Sequence, residues 1–172
     1  MSAPDDAMPV DSETALAHAP PGHKDDTRLW LRLLTCTTLV EGEIRTRLRE
    51  RFATTLPRFD LLAQLQRAEA GMTLAEVSRR MMVSNGNITG LATRLETEGL
   101  ITRHASATDR RSQLLRLTAR GRREFARQSA AHEDWIVGLF EAMPQAERQA
   151  LFALLGRFKS ALRVALNEEQ AP

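Results

Sequence analysis

Apolar residues recur at helical spacing from Leu29 through Leu33, Cys36, Val40, Ile44, Leu48 and Phe52, with Arg45, Arg47, Arg49, Glu50 and Arg51 on the opposite face. That period predicts a long amphipathic first helix. Thr54, Thr55 and Pro57 break the pattern and start a second helix, which carries Phe59, Leu62 and Leu65 and ends near Gly71. A third helix opens at Thr73, with Glu76 at the spacing of a capping box and Leu74, Val77 and Met81 facing inward. Ser84 caps a fourth, whose inner face is Ile88, Leu91, Ala92 and Leu95. Gly99 is placed to turn left-handed there, and Leu100 to fold back onto the last turn.

Beyond that point the period changes from helical to alternating. Ile101-Thr102-Arg103 and Leu115-Arg116-Leu117 read as the two strands of a hairpin. Ala105 to Ser112 is too long for a tight turn and projects as a wing. Thr118 caps a fifth helix with Phe125, His132, Ile136, Leu139 and Met143 on one stripe. Pro144 then opens a sixth with Leu151, Leu154, Leu155, Phe158, Leu162 and Leu166. The expected fold is mainly α with a small β-hairpin wing: a winged helix-turn-helix over 57–118 between terminal helices at 27–56 and 119–168. Residues 1–26, with Pro4, Pro9, Pro20 and Pro21 and few apolar side chains, bury too little to offset ordering entropy and are expected to form a mobile acidic arm.

Charge adds a direction to this layout. The whole 172-residue chain carries a formal net charge of only +2, but the charge is segregated. Residues 1–26 hold six acids against Lys24 alone, whereas residues 73–127 hold eleven arginines against five acids. A basic segment beside an acidic tail is the distribution expected of a phosphate-binding surface. With one cysteine, Cys36, the chain has neither a disulfide framework nor a cysteine zinc cluster. The four histidines are scattered without ligand spacing, so no metal and no cofactor is expected. The N-terminus lacks the basic start and apolar run of a signal peptide, and no apolar stretch nears membrane-spanning length, which predicts a cytoplasmic protein without a membrane partner.

The short link around Val83 forces the fourth helix across the third at a steep angle. Its outward residues are Asn85, Asn87, Thr89, Gly90, Thr93 and Arg94. Asparagine pairs with adenine, arginine with guanine, and threonine offers a methyl group to thymine. Gly86 and Gly90 each cost about 1 kcal/mol relative to alanine in a helix. Either a base edge or a neighbouring helix must approach closely enough to repay that. In the wing, Asp109 can brace Arg111 in an extended pose for a minor groove; otherwise the run is a solvated turn.

These stretches, VSNGNITGLATRLETEGL with its DRR wing and LTARGR strand-to-helix join, resemble the MarR family from about Thr27 to Leu166. The resemblance implies a homodimer with intertwined terminal helices, so that 27–56 and 119–168 are dimerisation helices, and two winged domains on successive major grooves of double-stranded DNA. Two-fold symmetry then implies a pseudo-palindromic operator. It places Ser84, Asn85, Asn87, Thr89, Thr93 and Arg94 on the DNA-contacting helix and Asp109, Arg110 and Arg111 on the wing, and repression is the family's usual mode.

Family members release or bind DNA when a small molecule or thiol oxidation biases the spacing of the two reading helices. Cys36 falls on the apolar stripe with Leu33 and Val40, and the chain has no tyrosine, so a buried structural cysteine is expected rather than a peroxide sensor. The terminal helices resemble the branch responsive to aromatic acids and hydroxycinnamoyl-CoA thioesters. A ring there would sit among Trp30, Phe59, Leu62 and Trp135 with His132 as a polar handle. Arg32 and its neighbours Arg28, Arg45 and Arg49 would meet CoA phosphates. The same side chains could equally be core and solvated face. No nucleophile with a base and orienter appears, so no catalytic residue is expected. A protein-binding adaptor would need apolar anchors on the outer face of the fourth helix, where this chain has Asn, Thr and Arg.

Overall fold

The computed structural model describes residues 24–105 and 113–168. The element order is α1 (Asp25–Phe52), α2 (Leu56–Gln66), β1 (Met72–Thr73), α3 (Leu74–Met81), α4 (Asn85–Thr97), β2 (Ile101–Ala105), β3 (Gln113–Leu117), α5 (Ala119–Phe140) and α6 (Gln145–Glu168). Contacts divide the chain within α5, between Ser129 and Ala130, into two compact units.

The first unit holds the core. Leu61, Leu62 and Leu65 of α2 meet Val77 of α3, Ile88, Ala92 and Leu95 of α4, and Met72, Ile101 and Leu115 of the sheet. Leu61, Val77, Ala92, Leu95 and Leu115 are completely shielded from solvent. The expected inner faces of the second, third and fourth helices are therefore the buried ones. The hairpin, however, is part of a three-stranded antiparallel sheet in the order β1-β3-β2, with Met72 opposite Leu115 and Thr73 opposite Leu114. Two residues are too few to show a strand period, and only pairing across the fold makes β1 visible. The second helix also ends earlier than expected, at Gln66. Residues 67–71 close two tight turns, Ala68 N–H to Leu65 O at 3.1 Å and Gly71 N–H to Ala68 O at 2.8 Å.

At the end of α4 Gly99 takes φ 71°. Leu100 N–H then reaches Leu95 O at 2.9 Å and Gly99 N–H reaches Glu96 O at 2.8 Å, the paired bonds of a Schellman ending. Thr118 caps α5 as expected, its Oγ1 accepting from Gly121 N–H at 2.9 Å. α1 starts at Asp25, so the last two residues assigned to the arm are its first turn, where two carboxylates complement the helix dipole; residues 1–23 lie outside the described residues.

Two expectations about α1 and α6 change. The α1 stripe is buried only at Ile44 and Leu48, while Leu29, Trp30, Leu34 and Leu39 are exposed. Cys36, expected to be buried, is exposed too: periodicity tells which face is apolar, not whether anything covers it. In the second unit α6 begins at Gln145, with Pro144 just outside it and its carbonyl accepting from Arg148 N–H at 3.0 Å. Phe152, Leu154, Leu155, Phe158, Leu162 and Leu166 are exposed along α6. Among the described residues no helix is long and apolar enough to cross a membrane.

Candidate nucleic-acid interface

Helix α3 is fixed at both ends. Thr73 Oγ1 accepts from Glu76 N–H at 3.2 Å, and the Glu76 carboxylate accepts from Thr73 N–H and from its hydroxyl, each at 2.8 Å. Those two donors hold the Glu76 carboxyl below its ordinary range. Met82 adopts φ 54°, an uncommon conformation for a side-chain-bearing residue, and ends α3. Buried Ser78, which the sequence reading passed over, donates from Oγ to Val83 O at 2.5 Å and accepts Val83 N–H on its own carbonyl at 3.2 Å. Ser84 then caps α4 by accepting from Asn87 N–H at 3.4 Å.

With Ile88, Ala92 and Leu95 buried, α4 turns Asn85, Gly86, Asn87, Thr89, Gly90, Thr93 and Arg94 to solvent. A Cβ added at Gly86 or Gly90 would meet nothing within 4 Å. No neighbouring helix of the described chain therefore explains the two glycines, and the face they leave is low and open. Among the described residues the side chains of Asn85, Asn87 and Arg94 make no hydrogen bond or ion pair, so their donors and acceptors stand available. Arg79 and Arg80, exposed in the last turn of α3, add positive charge that sequence reasoning did not single out.

The threonines are engaged. Thr89 Oγ1 donates to Asn85 O at 2.9 Å, Thr93 Oγ1 to Thr89 O at 2.9 Å, and Thr97 Oγ1 to Thr93 O at 3.0 Å. Arg103 of β2 reaches across, its Nη2 donating to Thr93 Oγ1 at 2.8 Å and its Nε lying 2.9 Å from a Glu96 carboxylate oxygen. Arg103 thus ties the base of the wing to the middle of α4. The wing tip, with Asp109, Arg110 and Arg111, lies outside the described residues.

The residues expected to hold a small molecule are divided between the two units, and each has its own surroundings. Trp30 and Arg32 are exposed on α1. Phe59 is buried against the Phe125 ring, 5.5 Å between centroids, and Leu62 belongs to the core. His132 and Trp135 belong to the second unit; burial holds the His132 imidazole below its ordinary 6.5, with Glu133 opposing. The first unit does contain a cavity of about 250 Å³ lined by Thr54, Arg58, Leu62, Glu98, Arg120 and Gln128, among others. On its lining Arg58 makes a two-pronged bond to Glu98, Nη1 to Oε1 at 2.8 Å and Nη2 to Oε2, which holds the Glu98 carboxyl low. Gln128 Oε1 and Arg58 Nε are buried without a hydrogen-bond partner. The lining is mostly polar, with Phe52, Leu62 and Leu100 as its large apolar side chains, and Leu62 is the one predicted ligand residue on it.

A family model described as the MarR family matches residues 54–113. The transcriptional activatory protein BadR of Rhodopseudomonas palustris is 34% identical over 97 residues, a stretch covering 55% of this chain and 55% of BadR. The chain thus spans about half the length of that curated relative. The crystal structure of a MarR family transcriptional regulator from Silicibacter pomeroyi superposes with a TM-score of 0.67 at 31% identity, over 83% of this chain and 99% of that one. CouR from Rhodococcus jostii RHA1, bound to p-coumaroyl-CoA, shares the fold at a TM-score of 0.65 and 23% identity, over 77% of this chain and 90% of that one.

Proposed function

This chain belongs to the MarR family of transcriptional regulators, and on that premise we propose that it is a cytoplasmic homodimeric repressor. Its operator is a pseudo-palindrome, and an aromatic acid or its CoA thioester releases it. The observation that carries the DNA-reading part is the outer face of α4, where Asn85, Asn87 and Arg94 stand unengaged around two glycines with open space above them. Ser84, Thr89 and Thr93 complete that face. Asp109, Arg110 and Arg111 extend it, through the wing, to the neighbouring minor groove and backbone.

The dimer reading draws on the apolar side chains left exposed on α1 and α6, Leu29, Trp30 and Leu39 on one and Phe152, Leu154 and Leu155 on the other. A single chain bearing such surface is poorly soluble, and a second copy is the natural cover. The effector reading draws on the fold shared with CouR and assigns Trp30, Arg32, Phe59, Leu62, His132 and Trp135 to the ligand. BadR's name, an activatory protein, favours activation as the second reading of the regulatory sign. The exposure of Cys36 favours thiol oxidation as the second reading of the signal.

The test is binding of the full chain to duplexes enriched from a randomised library. Each added phosphate contact steepens the fall of affinity with salt, and Asn87→Ala, Arg94→Ala and Arg111→Ala should each weaken binding. Equal affinity for enriched and scrambled duplexes would remove the DNA-reading proposal. Titration with p-coumaroyl-CoA, feruloyl-CoA and the free acids tests the effector, and no shift with any of them removes it. Release by peroxide that Cys36→Ser abolishes would establish the thiol reading instead.

A further inference from the structure

The three threonines of α4 differ chemically from its asparagines and arginine, although all lie on exposed positions. A threonine hydroxyl has one hydrogen to give. Thr89 gives its hydrogen to Asn85 O, and Thr93 gives its own to Thr89 O. Thr93 Oγ1 also accepts from the Arg103 guanidinium at 2.8 Å, which consumes a lone pair and resists rotation of the side chain. With the oxygen turned back onto the helix backbone, the methyl group is the branch of each Cβ left for the outer side. α4 therefore presents two kinds of contact. Asn85, Asn87 and Arg94 offer hydrogen bonds, whereas Thr89 and Thr93 offer methyl groups.

We infer that Thr89 and Thr93 determine specificity as apolar readers of thymine C5-methyl groups, and that their hydroxyls donate no hydrogen bond to a base. This rests on the DNA-reading function proposed above. Residues four apart rise about 6 Å along a helix, close to two base steps of about 3.4 Å. Gly86 and Gly90 each precede one of the two threonines by three residues, and no Cβ stands at those positions to hold the methyl groups off a groove floor. Withdrawing the hydroxyl hydrogen to donate to a base would cost the bond it already makes, about 1 kcal/mol. A methyl-to-methyl contact displaces water at no such cost. The half-site should therefore carry thymines at two positions about two steps apart.

Uracil in place of thymine removes that methyl group and nothing else. Duplexes enriched by the wild-type chain from a randomised library are remade with uracil at each thymine in turn, and affinity is measured for each. Wild type should bind about three- to fivefold more weakly at one or two positions per half-site, the size expected for one buried methyl group. Thr89→Ser, which keeps the hydroxyl, should bring the thymine-to-uracil ratio at one of them to unity, while Thr89→Val, which keeps the methyl, should preserve it. A ratio of one at every position in the wild-type chain overturns the inference. So does a ratio that survives in Thr89→Ser and vanishes in Thr89→Val. If the library yields no enriched sequence, the DNA-reading proposal fails first, so the two failures are told apart.

Discussion

Gly121 at the start of α5 lies so close to Leu100 that an added Cβ would fall 1.9 Å from the Leu100 carbonyl oxygen. The obstruction is backbone, which cannot swing aside as a side chain can. Gly121→Ala should therefore destabilise the fold by about 2 kcal/mol or more, as overpacking a tight contact does. Urea denaturation checks this, and a midpoint equal to wild type would mean that α5 has room to shift.

Gly86 and Gly90 predict the opposite sign. Their Cβ positions are open, so alanine gains helix propensity with no clash. Each substitution should stabilise the fold by about 0.5–1 kcal/mol. On the proposed function both should nonetheless weaken DNA binding, because each raises the reading face. Stability rising while affinity falls would separate a functional glycine from a structural one.

Met82 holds φ 54° at the end of α3, and its side chain is 93% exposed. It gains little from packing and bears the cost of a left-handed backbone, which glycine does not. Met82→Gly should raise stability by about 0.5–1 kcal/mol by thermal melting.

Two carboxylates should bend the pH dependence of stability in opposite directions. Glu98 is held below its ordinary 4.5, first by the Arg58 hydrogen bond, so its contribution is present above that value and is lost as pH falls through the folded pKa. Asp60 is raised above its ordinary 3.8, first by burial and then by Glu41, with Arg45 opposing. Its contribution is present below 3.8 and is lost as pH rises through the folded pKa. Glu98→Gln should therefore lose stability relative to wild type at neutral pH and converge with it in acid. Asp60→Asn should gain at neutral pH and lose that gain in acid. Denaturation series from about pH 3 to about pH 7 test both.

Where a single residue type carries its own geometry, the sequence was enough. The capping pair Thr73 and Glu76, the caps Ser84 and Thr118, and the left-handed Gly99 all act within three or four residues of themselves, and each is found in the expected role. Features made by distant chain were not legible. β1 exists because Met72 meets Leu115, and Gly121 matters because Leu100 lies against it. The outward position of Thr93 was readable, but its hydroxyl chemistry depends on Arg103, ten residues away on a strand. Cys36 shows the converse, a local pattern that predicted burial when nothing in the described chain covers it.

Thr118 joins more than it caps. The same Oγ1 that accepts from Gly121 N–H donates to Gly99 O at 2.8 Å, with Leu100 O 3.2 Å away, and Thr118 N–H reaches Leu100 O at 3.0 Å. One side chain thus rivets the exit of α4 to the entrance of α5, over the close backbone approach of Gly121 to Leu100. A displacement of the first turn of α5 should therefore carry the last turn of α4 with it, which makes this corner a point of coupling between the two helices.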